Sequence, residues 1–209
     1  MELVFLLDRS GSMAGLESDT IGGFNGMLEK QRKGQGEVTV TTVLFDDAYE
    51  LLHDRLPIAG VAPLSEENYY VRGSTALYDA IGKTIHKIGS VQKNTTDAER
   101  AEKVLFVITT DGMENASREY TAAHVRSMIE RQKERYGWEF LFLGANIDAV
   151  SAAATIGIER DRAVRYCCDS EGLRLNAKAV SAAITELREN RPLAASWKAD
   201  IEEDYSCRG

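Results

Sequence analysis

Cysteine is scarce in this chain, with three residues among 209. Cys167, Cys168 and Cys207 cannot all pair with one another, and adjacent cysteines close a disulfide only with strain. We therefore expect reduced thiols and a cytoplasmic location. Neighbouring thiols also converge poorly on one tetrahedral metal ion, so Cys167 and Cys168 are predicted to be packing residues at the end of a strand.

Long hydrophobic runs are absent as well. The longest apolar stretches reach about six to eight residues, whereas a helix that crosses a membrane needs roughly 20. Met1 leads almost at once into an apolar segment, and the sequence predicts no secretory leader. We expect no membrane partner.

Positive charge is in deficit. The chain has 25 Lys and Arg against 33 Asp and Glu, a formal net charge of −8. No basic cluster with interleaved aromatic residues offsets this charge, which repels phosphate backbones. Nucleic acid is therefore excluded as an expected partner. The three histidines include no pair four residues apart, and they predict no metal site.

The length of the chain suits one domain with a sizeable core. We predict a single domain over residues 1–209, with its core over about 2–167. A C-terminal helix and an acidic tail would occupy about 170–209, with the helix itself over 173–189. The tail is expected to fray because it is terminal and strongly charged.

Strand-like and helix-like patterns alternate along the chain. Residues 2–7 and 104–109 are almost continuously apolar, which is typical of central strands buried on both faces. Helical spacing of apolar residues marks 16–33, 75–88 and 120–132. This alternation predicts a Rossmann-like, doubly wound α/β fold with helices on both faces of a mostly parallel sheet.

A hairpin adds a particular feature to that fold. The β-branched run over 38–45 is followed after only three residues by a second strand-like run over 49–53. A parallel connection needs a crossover of a dozen or more residues, so these two strands must be antiparallel. The sequence therefore predicts one antiparallel edge strand.

Oxygen-bearing side chains follow the predicted central strands. Asp8, Ser10 and Ser12 come directly after the first apolar run, Asp111 follows the later one, and Thr75 opens a helix-like stretch. In an open parallel sheet, ligands bind beyond the carboxyl ends of the strands. Carboxylates and hydroxyls are hard ligands for a small divalent cation. These five residues predict a site for Mg²⁺ or Mn²⁺.

The set Asp8-x-Ser10-x-Ser12, Thr75 and Asp111 resembles the metal-ion-dependent adhesion site (MIDAS) of von Willebrand factor A (VWA) domains, and every position of that pattern is filled. The resemblance covers the chain to about residue 166 and implies the same sheet with one antiparallel edge strand. It further implies a non-catalytic interaction domain whose metal ion binds a carboxylate of a partner protein. Intracellular, microbial members of the family suggest an AAA-type ATPase system as one such partner.

Glu114 and Asn115 follow Asp111 closely. We interpret them as a solvated loop that caps the next helix; the alternative is that Glu114 tunes the metal site or competes as an internal ligand.

Other functions fit the sequence less well. A phosphatase of the haloacid dehalogenase type would also place Asp8 after the first strand, but it needs a second Asp where Ser10 stands and a Lys just before Asp111. A serine hydrolase lacks its Gly-x-Ser-x-Gly elbow, and a dinucleotide site lacks Gly-x-Gly-x-x-Gly. An assembly module with a purely structural metal remains an alternative.

Overall fold

Within residues 1–208, six strands form one sheet in the order β3-β2-β1-β4-β5-β6. The structure is a computed structural model and describes residues 1–208. In chain order the strands are β1 (Glu2–Asp8), β2 (Thr39–Phe45), β3 (Tyr49–Pro57), β4 (Val104–Thr110), β5 (Glu139–Gly144) and β6 (Ala163–Arg165).

Every strand pairing except one is parallel. β1 lies between β2 and β4 and is parallel to both, whereas β3 pairs with β2 in the antiparallel direction at the edge of the sheet. The mostly parallel sheet with one antiparallel edge strand is therefore confirmed. The register sets Leu7 beside Thr109, so the carboxyl ends of β1 and β4 lie side by side.

Helices cover both faces of the sheet. They are α1 (Glu17–Arg32), α2 (Leu77–Asn94), α3 (Ala122–Tyr136), α4 (Ala149–Thr155), α5 (Ser170–Arg188) and α6 (Ala199–Arg208). Side chains alternate across each strand, so β1 contributes to two cores. Leu3, Phe5 and Leu7 pack in the core with α1, α5 and α6, while Val4 and Leu6 pack with α2, α3 and α4. Burial on both faces explains the continuous apolar runs.

The C-terminal tail departs from expectation. It forms the helix α6 after a short 3₁₀ turn, Ala195–Lys198. Ile201 is 1% exposed and joins the core that contains α5, and Trp197 Nε1 donates a 2.8 Å hydrogen bond to the carbonyl of Asp161. The few apolar residues of the tail are thus buried by distant segments, while its acidic residues remain on the outside.

No helix within residues 1–208 combines the length and apolar character needed to cross a membrane. All three cysteines are free. Cys167 and Cys168 are half-buried just beyond β6, as the sequence predicted.

Candidate metal centre

The five predicted ligands lie at the carboxyl edge of the sheet. Asp8 is the last residue of β1. Ser10 directly precedes the 3₁₀ turn Gly11–Met13, and Ser12 lies within that turn. Asp111 comes directly after β4. Thr75 lies in the loop before α2, two residues ahead of the first helical residue. Adjacent parallel strands end at the same edge, which brings these distant segments together.

Three hydroxyl groups converge beside Gly112. A methyl group added to the Cα atom of Gly112 would lie 3.1 Å from Thr75 Oγ1, 3.2 Å from Ser12 Oγ and 3.9 Å from Ser10 Oγ. Any larger residue would press on the two nearer oxygens. Glycine therefore keeps open the space into which the three predicted hydroxyl ligands point.

The oxygen spacings suit a small octahedral ion. Ser12 Oγ donates a 2.5 Å hydrogen bond to Asp111 Oδ1, and the hydroxyl oxygens of Ser10 and Ser12 are 3.2 Å apart. Neighbouring ligands around Mg²⁺, each about 2.1 Å from the ion, are separated by roughly 3.0 Å. The two oxygen–oxygen distances lie on either side of that value, so the residues present fit a divalent cation.

Asp8 is almost completely enclosed, with 1% of its surface exposed. Its Oδ1 accepts a 2.7 Å hydrogen bond from the amide of Ser10, and its Oδ2 accepts a 2.6 Å bond from Thr110 Oγ1. Burial raises the pKa of Asp8 to about 6, against the opposing effect of these hydrogen bonds. Thr110 was not singled out from the sequence because its contact with Asp8 spans 102 positions.

Asp111 is the second carboxylate of the site. Burial raises its pKa, and the hydrogen bond from the Ser12 hydroxyl acts in the opposite direction. Its Oδ2 lies 3.9 Å from Cys168 Sγ, a neighbour that the sequence did not reveal. Nearby, the hydroxyl of Tyr69 donates a 2.6 Å hydrogen bond to the carbonyl of Asp8. The Tyr69 bond therefore holds the backbone of Asp8, while each carboxylate accepts a hydrogen bond from a side-chain hydroxyl, that of Thr110 or that of Ser12.

Glu114 and Asn115 hold the Thr75 loop, which corrects our interpretation of them. Asn115 Oδ1 accepts a 2.9 Å hydrogen bond from the amide of Thr75. The carboxylate of Glu114 accepts a 2.9 Å hydrogen bond from the amide of Tyr78, near the start of α2. It also accepts a 2.7 Å hydrogen bond from the amide of Ser117. The helix that Glu114 caps is therefore the preceding α2 and not the following α3.

Within residues 1–208 there is no group of three or more His, Cys, Asp or Glu side chains placed to hold a metal ion. Any cation bound here would rest on the two carboxylates and the hydroxyl groups of the serines and the threonine.

Comparison with known proteins identifies the fold of this chain. No family model matches the chain, and no curated protein matches it. Among solved structures, a von Willebrand factor type A protein from Catenulispora acidiphila aligns at 13% identity and a TM-score of 0.58, over 88% of this chain and 42% of its own. Manganese-loaded TRAP protein from Plasmodium vivax aligns at 14% identity and 0.55, over 84% and 71%.

Proximal thread matrix protein 1 from the mussel byssus, with a zinc-occupied MIDAS motif, aligns at 15% identity and a TM-score of 0.58, over 88% of this chain and 45% of its own. The chain has the VWA fold. At these identities the likeness concerns the fold alone. The aligned VWA region spans less than half the length of the mussel and Catenulispora proteins.

Proposed function

We propose that this chain is a non-catalytic, metal-dependent protein-interaction domain. Asp8, Ser10, Ser12, Thr75 and Asp111 would hold one Mg²⁺ or Mn²⁺, and an acidic side chain of a partner protein would complete the coordination of the ion. The observation that carries the proposal is the convergence of three hydroxyl groups beside Gly112, next to the carboxylate of Asp111.

The charge of the site favours a partner carboxylate. Asp8 and Asp111 together carry at most two negative charges, which only just balance a divalent cation. The hydroxyls of Ser10, Ser12 and Thr75 add no further negative charge. When bound, the ion would supply an electrophilic position open to a hard oxygen ligand. An acidic side chain from another protein is such a ligand.

The surroundings of Asp8 favour a ligand over a nucleophile. Both of its oxygens already accept hydrogen bonds, from the Ser10 amide and the Thr110 hydroxyl, and the side chain is almost completely buried. A nucleophilic carboxylate needs a nearby acid–base group. Ser10 occupies the position where the phosphatase would have its second Asp.

Two proteins of similar fold support the proposal of a bound divalent ion. The mussel protein is described with zinc at its MIDAS motif, and the Plasmodium vivax protein is described as manganese-loaded. We extend this metal dependence to the present chain as part of the proposal. A cytoplasmic location, expected from the three cysteines, and an AAA-type ATPase system as partner, implied by the resemblance, are proposed on the same terms.

Metal binding is tested by calorimetric titration of the protein with MnCl₂ and MgCl₂. We expect one weak site that Asp8→Ala abolishes, because the change removes half of the fixed negative charge. Ser12→Ala should only weaken binding, since it removes one neutral oxygen. Asp54→Ala is a charge-matched control, because Asp54 is exposed on β3 and pairs with Lys87. Equal affinity in wild type and Asp8→Ala would overturn the assignment.

Carboxylate recognition is tested by water proton relaxation of the Mn²⁺-loaded protein. The peptide acetyl-Gly-Glu-Gly-amide should displace a water molecule from the ion and lower the relaxivity, whereas the Gln analogue should have no effect. An equal response to both peptides would show that the site does not select a carboxylate.

A further inference from the structure

Two of the predicted ligand loops meet on a residue that is not itself a predicted ligand. We call residues 8–12 the first ligand loop and residues 72–75 the second ligand loop. Asp46 follows β2, and its side chain is completely buried. Its Oδ2 accepts a 2.8 Å hydrogen bond from Arg9 Nε in the first loop and another of 2.8 Å from Arg72 Nε in the second. One carboxylate oxygen therefore joins the two loops.

Backbone hydrogen bonds complete this junction. The amide of Arg72 donates to the carbonyl of Arg9 at 2.9 Å, and the amide of Gly11 donates to the carbonyl of Gly73 at 3.2 Å. The amide of Ala76, next to Thr75, donates to the carbonyl of Asp46 at 2.8 Å. The position of the Thr75 hydroxyl relative to the first ligand loop thus depends on contacts centred on Asp46.

The charges at the junction are matched. Arg9 is fully buried, and its Nη2 lies 2.8 Å from Glu50 Oε2 as an ion pair. The ring of Tyr70 covers both guanidinium groups, with its centroid 5.4 Å from Arg9 Cζ and 5.5 Å from Arg72 Cζ. Removing one partner of a buried pair leaves a charge uncompensated, so the pairing resists displacement of either loop.

The hairpin alone does not require these contacts. Asp46 Oδ1 accepts a 2.7 Å hydrogen bond from the amide of Ala48, which is the ordinary role of an aspartate that begins a turn. That bond uses only one of the two carboxylate oxygens. The other oxygen is shared between Arg9 and Arg72, and both of these residues belong to ligand loops.

We propose that Asp46 is a positioning residue which, through Arg9 and Arg72, sets the separation of the two ligand loops and thereby the affinity of the site for a divalent cation. The inference rests on the proposed function for its metal ion. It goes further in assigning the control of affinity to residues that would not touch the ion. Such indirect contacts typically change metal affinity by roughly 10- to 100-fold.

The test compares Arg72→Met with Asp46→Asn. The Arg72 side chain is 45% exposed, so Arg72→Met removes the link to the second ligand loop with little risk to folding. Arg174→Met is the matched control, because Arg174 is also exposed and pairs with a carboxylate, that of Glu171, but lies on α5. All proteins are measured by amide hydrogen exchange without metal, by titration with MnCl₂ and by urea unfolding.

We expect faster exchange at the amides of Gly11 and Ala76 in both test variants, because their hydrogen bonds cross the junction. The Kd for Mn²⁺ should rise by about tenfold or more in each, and Arg174→Met should change neither measurement. The double variant Arg72→Met/Asp46→Asn should lose little beyond Asp46→Asn alone, since both changes break the same link.

Lower stability with unchanged Mn²⁺ affinity would overturn the role of Asp46 and leave the proposed function standing. A wild-type protein that bound no Mn²⁺ would overturn the proposed function and, with it, the control of affinity. Because exchange is measured without metal, the two failures are distinguishable. Exchange at Gly11 and Ala76 that stayed at the wild-type rate in both variants would show that Asp46 does not join the loops.

Discussion

The hydroxyl of Thr110 donates a 2.6 Å hydrogen bond to Oδ2 of Asp8, joining the last residues of β4 and β1. Thr110 is completely buried, and its hydroxyl also lies 3.2 Å from the carbonyl of Gly112. The Thr110 side chain therefore orients the predicted ligand Asp8 and also contacts Gly112, beside which the three predicted hydroxyl ligands converge. Because Thr110 directly precedes Asp111 in the chain and hydrogen-bonds Asp8, it connects the two predicted carboxylate ligands.

Thr110→Val should weaken metal binding, because Asp8 loses the donor that orients its Oδ2. We expect an Mn²⁺ affinity lower by roughly tenfold, together with a loss of about 1–3 kcal/mol in the free energy of unfolding from the unsatisfied carboxylate. Calorimetry and urea unfolding measure the two effects. Thr109→Val is the neighbouring control, and an equal loss of affinity in that variant would contradict a specific role for Thr110.

Removal of the metal should leave the protein folded. A chain of this length buries enough apolar surface to fold without a metal ion. At a tenfold excess of Mg²⁺ over Kd, ligand linkage contributes about 1.4 kcal/mol, so EDTA should lower Tm by roughly 3–6 °C. Scanning calorimetry with and without EDTA measures the shift. Loss of the cooperative transition in EDTA would identify the ion as structural and favour the assembly-module alternative.

The phosphatase alternative makes a different prediction at Asp8 and Ser10. We expect no turnover of p-nitrophenyl phosphate by wild type, and no covalent adduct with beryllofluoride at Asp8. Ser10→Asp should instead weaken the effect of the Glu peptide on Mn²⁺ relaxivity, because it adds negative charge where an incoming acid must bind. Turnover that disappears in Asp8→Asn at matched purity would contradict the interaction-domain proposal.

Asp46 should make stability depend on pH in the acid range. Burial raises its pKa, but hydrogen bonds from Arg72, the Ala48 amide and Arg9 outweigh that effect and hold the pKa below its usual value of 3.8. A carboxyl group with a lowered folded-state pKa stabilises the protein above the unfolded-state pKa. That contribution disappears as the pH falls through the folded-state value.

Urea unfolding of wild type and Asp46→Asn from pH 6 to pH 2 tests this sign. The substituted amide side chain cannot ionise, so the difference in free energy of unfolding should be about 3 kcal/mol at pH 6 and should shrink below pH 4. Asp54→Asn, which removes an exposed ion pair, should differ from wild type by less than about 1 kcal/mol throughout. A difference that grows as the pH falls would contradict the lowered pKa.

Local patterns in the sequence predicted most of the fold. The apolar runs of β1 and β4 indicated strands buried on both faces, and the three residues between β2 and β3 required an antiparallel edge strand. The helix α6 in the tail was not predicted, because acidic residues dominate the composition of the tail. Its helix is stabilised by burial of Ile201 and Trp197 against distant segments, and such contacts leave no local pattern.

By itself the sequence determined the order of the strands and helices up to α5, the edge hairpin and the five candidate ligands, because these depend on residue type and short-range spacing. Only the tertiary structure decided which residues orient the ligands. Thr110 hydrogen-bonds Asp8 across 102 positions of sequence. Asp46 hydrogen-bonds Arg9 across 37 positions and Arg72 across 26. Contacts at such separations arise from strand order and register, which bring chain segments together wherever they stand in the sequence.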